Sequence, residues 1–226
     1  MTLPQIVSPL DVEDVRARVQ ASLDVFLARK RAELDAIGPE TTAVADELDV
    51  FLAGGKRLRP AFAYWGWRAA GAPDLPAAVD AAASLELLQA CALIHDDLMD
   101  GSDTRRGRPA VHRTFESLHR ASGWHGAADG FGLGAAVLVG DLCLAWADDI
   151  HFSVELPAEA LMRAKPVFDL MRTELMFGQY LDLLAQSSRD PSADRARRVI
   201  RFKTAKYTVE RPLHLGVTLA GGPHEL

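Results

Sequence analysis

The chain has 226 residues, of which 49% are apolar and 25% are charged, a balance typical of a globular protein. Thirty-one acidic residues outnumber 25 lysines and arginines, and the net charge of −6 argues against nucleic acid as the main partner, because nucleic-acid-binding domains present a basic surface. A chain of this length can bury a core without disulfides, so we expect Cys91 and Cys143 to be buried free thiols.

The amino-terminal sequence MTLPQIVSPLDVEDVR lacks the basic region and the continuous apolar stretch of a signal peptide. No run of about 18 uninterrupted apolar residues occurs in the sequence, so no membrane span is predicted. We therefore expect a cytoplasmic protein without stable membrane insertion.

Helical periodicity follows this segment. Residues 11–37 place apolar side chains on one stripe with charges between them, which predicts an amphipathic helix that Gly38-Pro39 ends. A second helix is predicted to run to about Leu52. The sequence GGKRLRP (Gly54–Pro60) predicts a turn, and a short aromatic helix follows it.

A long helix is predicted over Leu75–Asp100. It has a proline near its first turn and is apolar on most sides, which is typical of a helix in the centre of a bundle. We therefore expect this helix to form much of the core.

The carboxyl-terminal half is also predicted to be helical. A glycine-rich loop is expected at Ser122–Gly134, followed by helices over about residues 135–152, 157–186 and 192–220. The stretch GFGLG suggests a nucleotide-binding loop, but no strand precedes it, so we interpret it as a helix-entry loop. Because no alternating strand pattern is present, the sequence predicts one all-α bundle over residues 1–226.

Three aspartates, Asp96, Asp97 and Asp100, stand in the last turn of the predicted long helix. The helix dipole makes each carboxylate there unfavourable by about 0.3–1 kcal/mol. Asp96 and Asp100 are four residues apart and share a face. Oxygen ligands favour Mg²⁺, with Mn²⁺ as an alternative, and Mg²⁺ usually takes one or two carboxylates together with phosphate oxygens. The sequence therefore predicts a metal-bound phosphorylated ligand; the alternative is a solvated acidic helix end.

Arginines follow the aspartates directly. Arg105, Arg106 and Arg108 come after a predicted turn at Gly101-Ser102 and can fold back towards the carboxylates. They would either neutralise the aspartates or, together with a metal, hold a diphosphate through bidentate hydrogen bonds.

A second basic cluster lies in GGKRLRP, which contains Lys56, Arg57 and Arg59. The glycines of this stretch let the backbone approach an anion closely. Two separate cationic clusters indicate two separate anionic substrates.

The order of these motifs resembles that of the trans-isoprenyl diphosphate synthases (polyprenyl synthetases). The motifs are GGKRLRP, LELLQACALIHDDLMDGSDTRRGRP, Gly140-Asp141, GQYLD (Gly178–Asp182) and FKTAKYT (Phe202–Thr208). The resemblance covers about residues 56–207 and implies the isoprenoid synthase fold. It also implies a reaction in which an allylic diphosphate ionises with Mg²⁺, isopentenyl diphosphate attacks the cation, and a proton leaves.

The resemblance also implies roles for individual residues. Metal binding is implied for Asp96, Asp97 and Asp100. Isopentenyl diphosphate binding is implied for Lys56, Arg59, Gln89 and Arg106. Allylic diphosphate binding is implied for Arg105, Lys203, Thr204 and Gln179.

Product length and assembly are further implications of the resemblance. The chain-length pocket would contain Leu88, Cys91 and Ala92, and in the family bulky aromatic residues at the last two positions stop the product at fifteen carbons. Alanine and cysteine leave the pocket open, so we expect a product of twenty carbons or more, with geranylgeranyl diphosphate as the first candidate. We also expect a homodimer with part of residues 135–152 at the interface.

One departure from the family is evident. Family members carry a second aspartate-rich motif downstream of the KT segment, and this sequence contains none. Asp148-Asp149 precedes that segment and lacks a third aspartate, so we interpret it as a polar helix end. The chain is therefore expected to be a synthase truncated before the second motif, whose catalytic site would be half missing.

Three alternatives stay open. A non-catalytic subunit that modulates an intact partner would not need the second motif. A terpene cyclase would share the acidic motif but would not need GGKRLRP. A metal phosphohydrolase using His95-Asp96 would need further histidines on neighbouring helices.

Overall fold

The computed structural model describes residue 8 and residues 12–188 and 192–222. The α-helices of this part are α1 (Val15–Asp35), α2 (Thr42–Leu52), α3 (Leu58–Ala69), α4 (Pro76–Met99), α5 (Val111–Ala121), α6 (Ala128–Phe152), α7 (Ala158–Ser188), α8 (Ala193–Val199) and α9 (Arg211–Leu219). A π-helix (Ile200–Glu210) joins α8 to α9, and 3-10 turns at Val12–Asp14 and Pro39–Thr41 precede α1 and α2. The predicted all-α fold is confirmed.

A short antiparallel ribbon follows α4. It consists of β1 (Thr104–Arg105) and β2 (Arg108–Pro109). Sequence periodicity predicted no strand, because two residues are too few to show alternation. The turn residues Arg106 and Gly107 have φ angles of 53° and 78°, as a two-residue hairpin turn requires.

The chain forms two compact units. Unit 1 comprises Met1–Val25, Gly54–Leu85 and Ile150–Leu226, and unit 2 comprises Phe26–Ala53 and Glu86–Asp149. Helices α1, α4 and α6 each contribute residues to both units, because the divisions fall within them. The single domain expected from the sequence stays a prediction.

In unit 1, α3 and α9 approach each other through glycines. A Cβ atom at Gly66 would overlap the carbonyl oxygen of Leu213, and one at Gly216 would overlap that of Ala63. Any larger residue would force the two backbones apart, and overpacking of this kind costs about 1–3 kcal/mol.

Helix α4 is buried on most sides, as predicted. Leu85, Leu87 and Leu88 are all 0% exposed although they point in different directions around the helix. Both α4 and α6 are long and apolar enough to cross a membrane by length and composition, with mean hydropathies of 1.5 and 1.7. In α4, 78% of the apolar window is buried inside the protein, which is typical of a core helix.

Helix α6 begins at Ala128, so the predicted loop at Ser122–Gly134 is wrong over its second half. A Cβ atom at Gly132 would overlap the carbonyl oxygen of His112 and lie 3.0 Å from Glu116. Glycine is therefore needed inside this helix because α5 approaches it closely. The glycine pattern reflects helix packing here.

Candidate functional site

Helix α4 ends in a turn that sends the chain back towards the aspartates. The Ser102 N–H donates to the Asp97 carbonyl at 2.9 Å and the Gly101 N–H to the Leu98 carbonyl at 3.4 Å. Gly101 has a φ of 63°, so these bonds form a Schellman motif, which glycine favours. The ribbon follows directly and returns Arg105 to the end of the helix.

Asp97 and Arg105 form an ion pair in unit 2. The Nε atom of Arg105 donates to both carboxylate oxygens of Asp97 at 3.1 Å, and Nη2 also donates to Oδ1. The Asp97 side chain is 1% exposed. Its hydrogen bonds raise the pKa of the Arg105 guanidinium. Of the two roles that the sequence left open for this arginine, the structure shows neutralisation of one aspartate.

The other two aspartates are more exposed than Asp97. The Asp96 carboxylate is 19% exposed and lies 3.9 Å from Nη2 of Arg105, and Asp100 is exposed. Within the described residues, no three His, Cys, Asp or Glu side chains converge on a metal position. Two carboxylates on one helix face still match Mg²⁺, which takes one or two of them together with phosphate oxygens.

The ribbon arginines line a cavity of about 210 Å³ in unit 2. Arg105, Arg106 and Arg108 share this cavity with Glu47 and Phe51 of α2. Burial raises the pKa of Glu47, although the positive charge of Arg108 opposes the shift. The cavity has the size and charge to accept a small anion.

His95 precedes the aspartates and contacts α6. Its Nε2 atom lies 3.2 Å from the Val137 carbonyl oxygen and 3.7 Å from the Asp141 carboxylate. A Cβ atom at Gly140 would overlap the His95 ring, so the His95 ring packs directly against the backbone of the Gly140-Asp141 motif. These contacts give His95 a packing role and leave the phosphohydrolase alternative without support.

The predicted chain-length residues differ in exposure. Leu88 and Cys91 are 0% exposed, whereas Ala92 is half-buried. Burial, and secondarily the negative charge of Asp141, raises the pKa of Cys91 to about 12. Gln89 is half-buried, and its Oε1 atom has no hydrogen-bond partner in the part of the chain that the structure describes.

In unit 1, the three basic residues of GGKRLRP differ in how deeply they are buried. Arg57 adopts a φ of 51° before α3 and is 3% exposed. Its guanidinium and the Gly54 N–H both donate to Oε1 of Gln20 on α1, the latter at 3.1 Å. Arg57 therefore fixes the turn, while Lys56 is exposed and Arg59 half-buried.

Arg59 contacts the π-helix. Its Nη2 atom donates to Oγ1 of Thr208 at 2.9 Å. Its guanidinium carbon lies 4.3 Å from the centre of the Tyr207 ring. Tyr207 and Thr208 belong to the motif FKTAKYT, in which the family resemblance implied roles for Lys203 and Thr204 alone.

Lys203 lies on the same π-helix. Its Nζ atom donates to Oδ2 of Asp182 on α7 at 2.7 Å. A Cβ atom at Gly178 of α7 would lie only 2.6 Å from the backbone nitrogen of Lys203. Gly178 thus allows the π-helix to lie against α7, beside half-buried Gln179, while Thr204 is exposed. π-Helical segments are frequent at functional sites.

Asp149 belongs to an ion-pair cluster in unit 2. Its carboxylate accepts from Lys30, which is 9% exposed, and lies 3.6 Å from Nη2 of Arg29. Lys30 also contacts Glu33 at 2.7 Å. These contacts agree with the interpretation of Asp148-Asp149 as a polar helix end.

Comparison with known proteins gives consistent results. A sequence profile described as Polyprenyl synthetase matches residues 42–226. The chain is 32% identical to the geranylfarnesyl diphosphate synthase of Natronomonas pharaonis, over 68% of this chain and 45% of that protein. It is 30% identical to the geranylgeranyl diphosphate synthase of Methanosarcina mazei, over 77% of this chain and 48% of that protein.

A solved structure shares the fold. The geranylgeranyl pyrophosphate synthase of Corynebacterium glutamicum, complexed with isoprenyl diphosphate and magnesium, has a TM-score of 0.89 and 44% sequence identity. The match covers 92% of this chain and 60% of that one. The chain thus spans about half the length of the curated relatives and less than two thirds of this structure.

Proposed function

Because the chain belongs to the polyprenyl synthetase family, we propose that it condenses isopentenyl diphosphate with an allylic diphosphate in a head-to-tail prenyl transfer. The observation that carries the proposal is the end of α4, where the partly exposed Asp96 and the exposed Asp100 lie near a guanidinium held by the buried Asp97. Metal ligands and an anion-binding group are thereby adjacent within one unit. That combination suits a metal-bound diphosphate.

Asp96 and Asp100 would hold Mg²⁺. When bound, the ion supplies charge stabilisation for a departing diphosphate. The magnesium and isoprenyl diphosphate named for the C. glutamicum structure support a magnesium-dependent diphosphate site in this family. For Asp97 we propose a part other than the metal binding that the family resemblance implies: it holds Arg105, because its carboxylate is buried and accepts hydrogen bonds from that arginine.

We assign Arg105 to one substrate and Lys56 and Arg59 to the other, while the roles that the family resemblance implies for Gln89, Arg106, Gln179, Lys203 and Thr204 stay predictions. In unit 2, Arg105 is oriented by Asp97 and presents its remaining N–H groups to the allylic diphosphate. In unit 1, Lys56 and Arg59 bind isopentenyl diphosphate, because Lys56 is exposed and Arg59 has only neutral partners among its described contacts. Arg57 is excluded from substrate binding because it is buried against Gln20.

A condensation assay tests the function directly. Because half of the catalytic site is expected to be missing from the chain, the full-length reading frame is incubated with radiolabelled isopentenyl diphosphate, an allylic diphosphate and Mg²⁺, and the products are resolved by chain length. We expect elongated products that are lost in Asp96→Asn and Asp100→Asn. Diphosphate binding without turnover would instead favour the non-catalytic subunit, and a cyclic hydrocarbon product would favour the cyclase.

For product length, we propose twenty carbons or more. Ala92 lies one turn, about 5.4 Å, before Asp96, and its methyl group leaves space where an aromatic ring would close the path. Ala92→Phe is expected to shift products towards fifteen carbons, with the exposed Ala69→Phe as the control. An unchanged distribution would refute the proposed pocket.

We also propose a homodimer through α6. Leu133 and Leu138 of this helix are 56% and 70% exposed, and a largely apolar groove of about 610 Å³ runs between α6 and its neighbours in unit 2. A contiguous apolar surface of this kind is typical of a protein interface. Sedimentation at micromolar concentration should give a dimer, and Leu138→Glu should give a monomer; a monomeric unmodified chain would contradict the proposal.

A further inference from the structure

We infer that Tyr207 and Thr208 are positioning residues that hold the Arg59 guanidinium for a diphosphate, an inference that rests on the proposed function. The guanidinium lies over the Tyr207 ring at 4.3 Å, and Nη2 donates to the Thr208 hydroxyl oxygen at 2.9 Å. Tyr207 is 2% exposed, so its ring is fixed by the surrounding core of unit 1. All three residues belong to that unit.

The two contacts restrain different motions of the guanidinium group. The ring covers one face and prevents the group from tilting, and the hydroxyl oxygen fixes its rotation within its own plane. An arginine side chain otherwise loses much of its rotamer freedom when it is ordered. Because the folded chain has already ordered Arg59, an anion that binds it avoids much of that cost.

Neither partner carries a negative charge. Arg105 contrasts with Arg59 in this respect, since the carboxylate of Asp97 neutralises it. Tyr207 and Thr208 leave the whole positive charge of Arg59 available to an anion. In addition, the Arg59 Nε atom is buried and has no hydrogen-bond partner among the residues that the structure describes. A buried charged donor in this state needs an acceptor, and a bound anion or a water molecule would supply one.

The π-helix connects this contact to a second cation. Lys203 lies on the same helix, and its ammonium group is held by Asp182 of α7. The close approach at Gly178 sets the position of the helix against α7. A shift of the π-helix would therefore displace Lys203 and the support of Arg59 together.

Calorimetric titration of the chain with isopentenyl diphosphate, without metal, tests the inference. Tyr207→Leu is expected to weaken binding about three- to tenfold, the range of a partly buried cation–π contact, whereas Tyr207→Phe keeps the ring face and should bind normally. Thr208→Val should weaken binding about threefold or more and Thr208→Ser should restore it. Phe202→Leu is the matched control, since its ring faces Arg201 and Lys206.

A double-mutant cycle separates positioning from general destabilisation. Arg59→Ala should weaken binding about 10- to 100-fold, and adding Tyr207→Leu to it should change affinity less than about twofold, because the ring acts through the missing guanidinium. Additive losses would overturn the inference. So would binding that depends on Arg59 and is indifferent to the Tyr207 ring.

Failure of the proposed function would look different. If the unmodified chain bound no isopentenyl diphosphate, or bound it equally well with Arg59→Ala, the substrate assignment would be wrong. The NMR signal of the Arg59 Nε–H group then tests the contact between the guanidinium and the Tyr207 ring without any substrate. Ring current should shift this signal upfield, and Tyr207→Leu should abolish the shift; an unshifted signal in the unmodified chain would overturn the inference by itself.

Discussion

Asp97→Asn should destabilise the metal-free chain, whereas Asp100→Asn should not. Asp97 is 1% exposed and receives two hydrogen bonds of 3.1 Å from Nε of Arg105. Loss of hydrogen bonds to a charged group costs about 1.5–3 kcal/mol. The 29% exposure of Arg105 lets water replace part of the contact, so the loss stays below the 3–5 kcal/mol of a fully buried pair. Asp100 is exposed at a helix carboxyl end, where removing negative charge stabilises by about 0.3–1 kcal/mol.

Urea unfolding followed by circular dichroism, with EDTA present, measures both free-energy changes. Arg105→Gln and the double variant with Asp97→Asn complete a cycle, in which the coupling energy should exceed about 0.5 kcal/mol. With Mg²⁺ and inorganic diphosphate added, Asp100→Asn should lose the stabilisation that the unmodified chain gains. Equal destabilisation by Asp97→Asn and Asp100→Asn in EDTA would refute the division between a positioning carboxylate and metal-binding ones.

Two further predictions concern buried groups outside this cluster. Burial by itself raises the pKa of Glu174, but hydrogen bonds from Arg211 and Lys206 outweigh burial and lower it below 4.5. The stabilisation is therefore complete above the unfolded pKa and is lost as pH falls through the folded pKa. Glu174→Gln should lower the free energy of unfolding in urea by about 3 kcal/mol at pH 7 and weaken its dependence on pH in the acid range. The control Glu155→Gln, at an exposed position, should change neither quantity. Cys91 and Cys143, whose pKa values are raised by burial, should resist iodoacetamide at pH 8 and react fully in urea; native labelling would contradict their burial.

The helices with long, regular patterns were predictable from the sequence. The predicted end at Leu52 is the observed end of α2, and the prediction over Leu75–Asp100 differs from α4 by one residue at each end. Local signals carry this information: apolar periodicity, a proline in the first turn and a glycine after the last one. The start of α6 was missed because Gly132 serves contact with α5, and a tertiary contact leaves no periodic trace.

The pairing of charges was the part that the sequence could not decide. Lys56 and Arg57 are adjacent basic residues, yet one is exposed and the other is buried beside Gln20, a residue 37 positions earlier. Asp96 and Asp97 differ in the same way, because successive helix residues point about 100° apart: Asp97 is 1% exposed and hydrogen-bonded to Arg105, whereas the Asp96 carboxylate is 19% exposed and lies 3.9 Å from Nη2 of that arginine. Sequence spacing gives the face of a helix, and the neighbouring element decides which charge is neutralised.

This difference in pairing predicts a different metal requirement for each substrate. Near the end of α4, three aspartates offset the three ribbon arginines, so a diphosphate gains little from charge until a divalent cation binds Asp96 and Asp100. In unit 1, the residues that contact the GGKRLRP segment, namely Gln20, Tyr207 and Thr208, are neutral. The positive charge of its arginines is therefore retained. In EDTA, the chain should therefore bind isopentenyl diphosphate and fail to bind a non-hydrolysable allylic thiodiphosphate, and Mg²⁺ should restore only the second interaction. Calorimetry with each ligand alone measures this, and metal-independent binding of the allylic analogue would show that the ribbon arginines act without the aspartates.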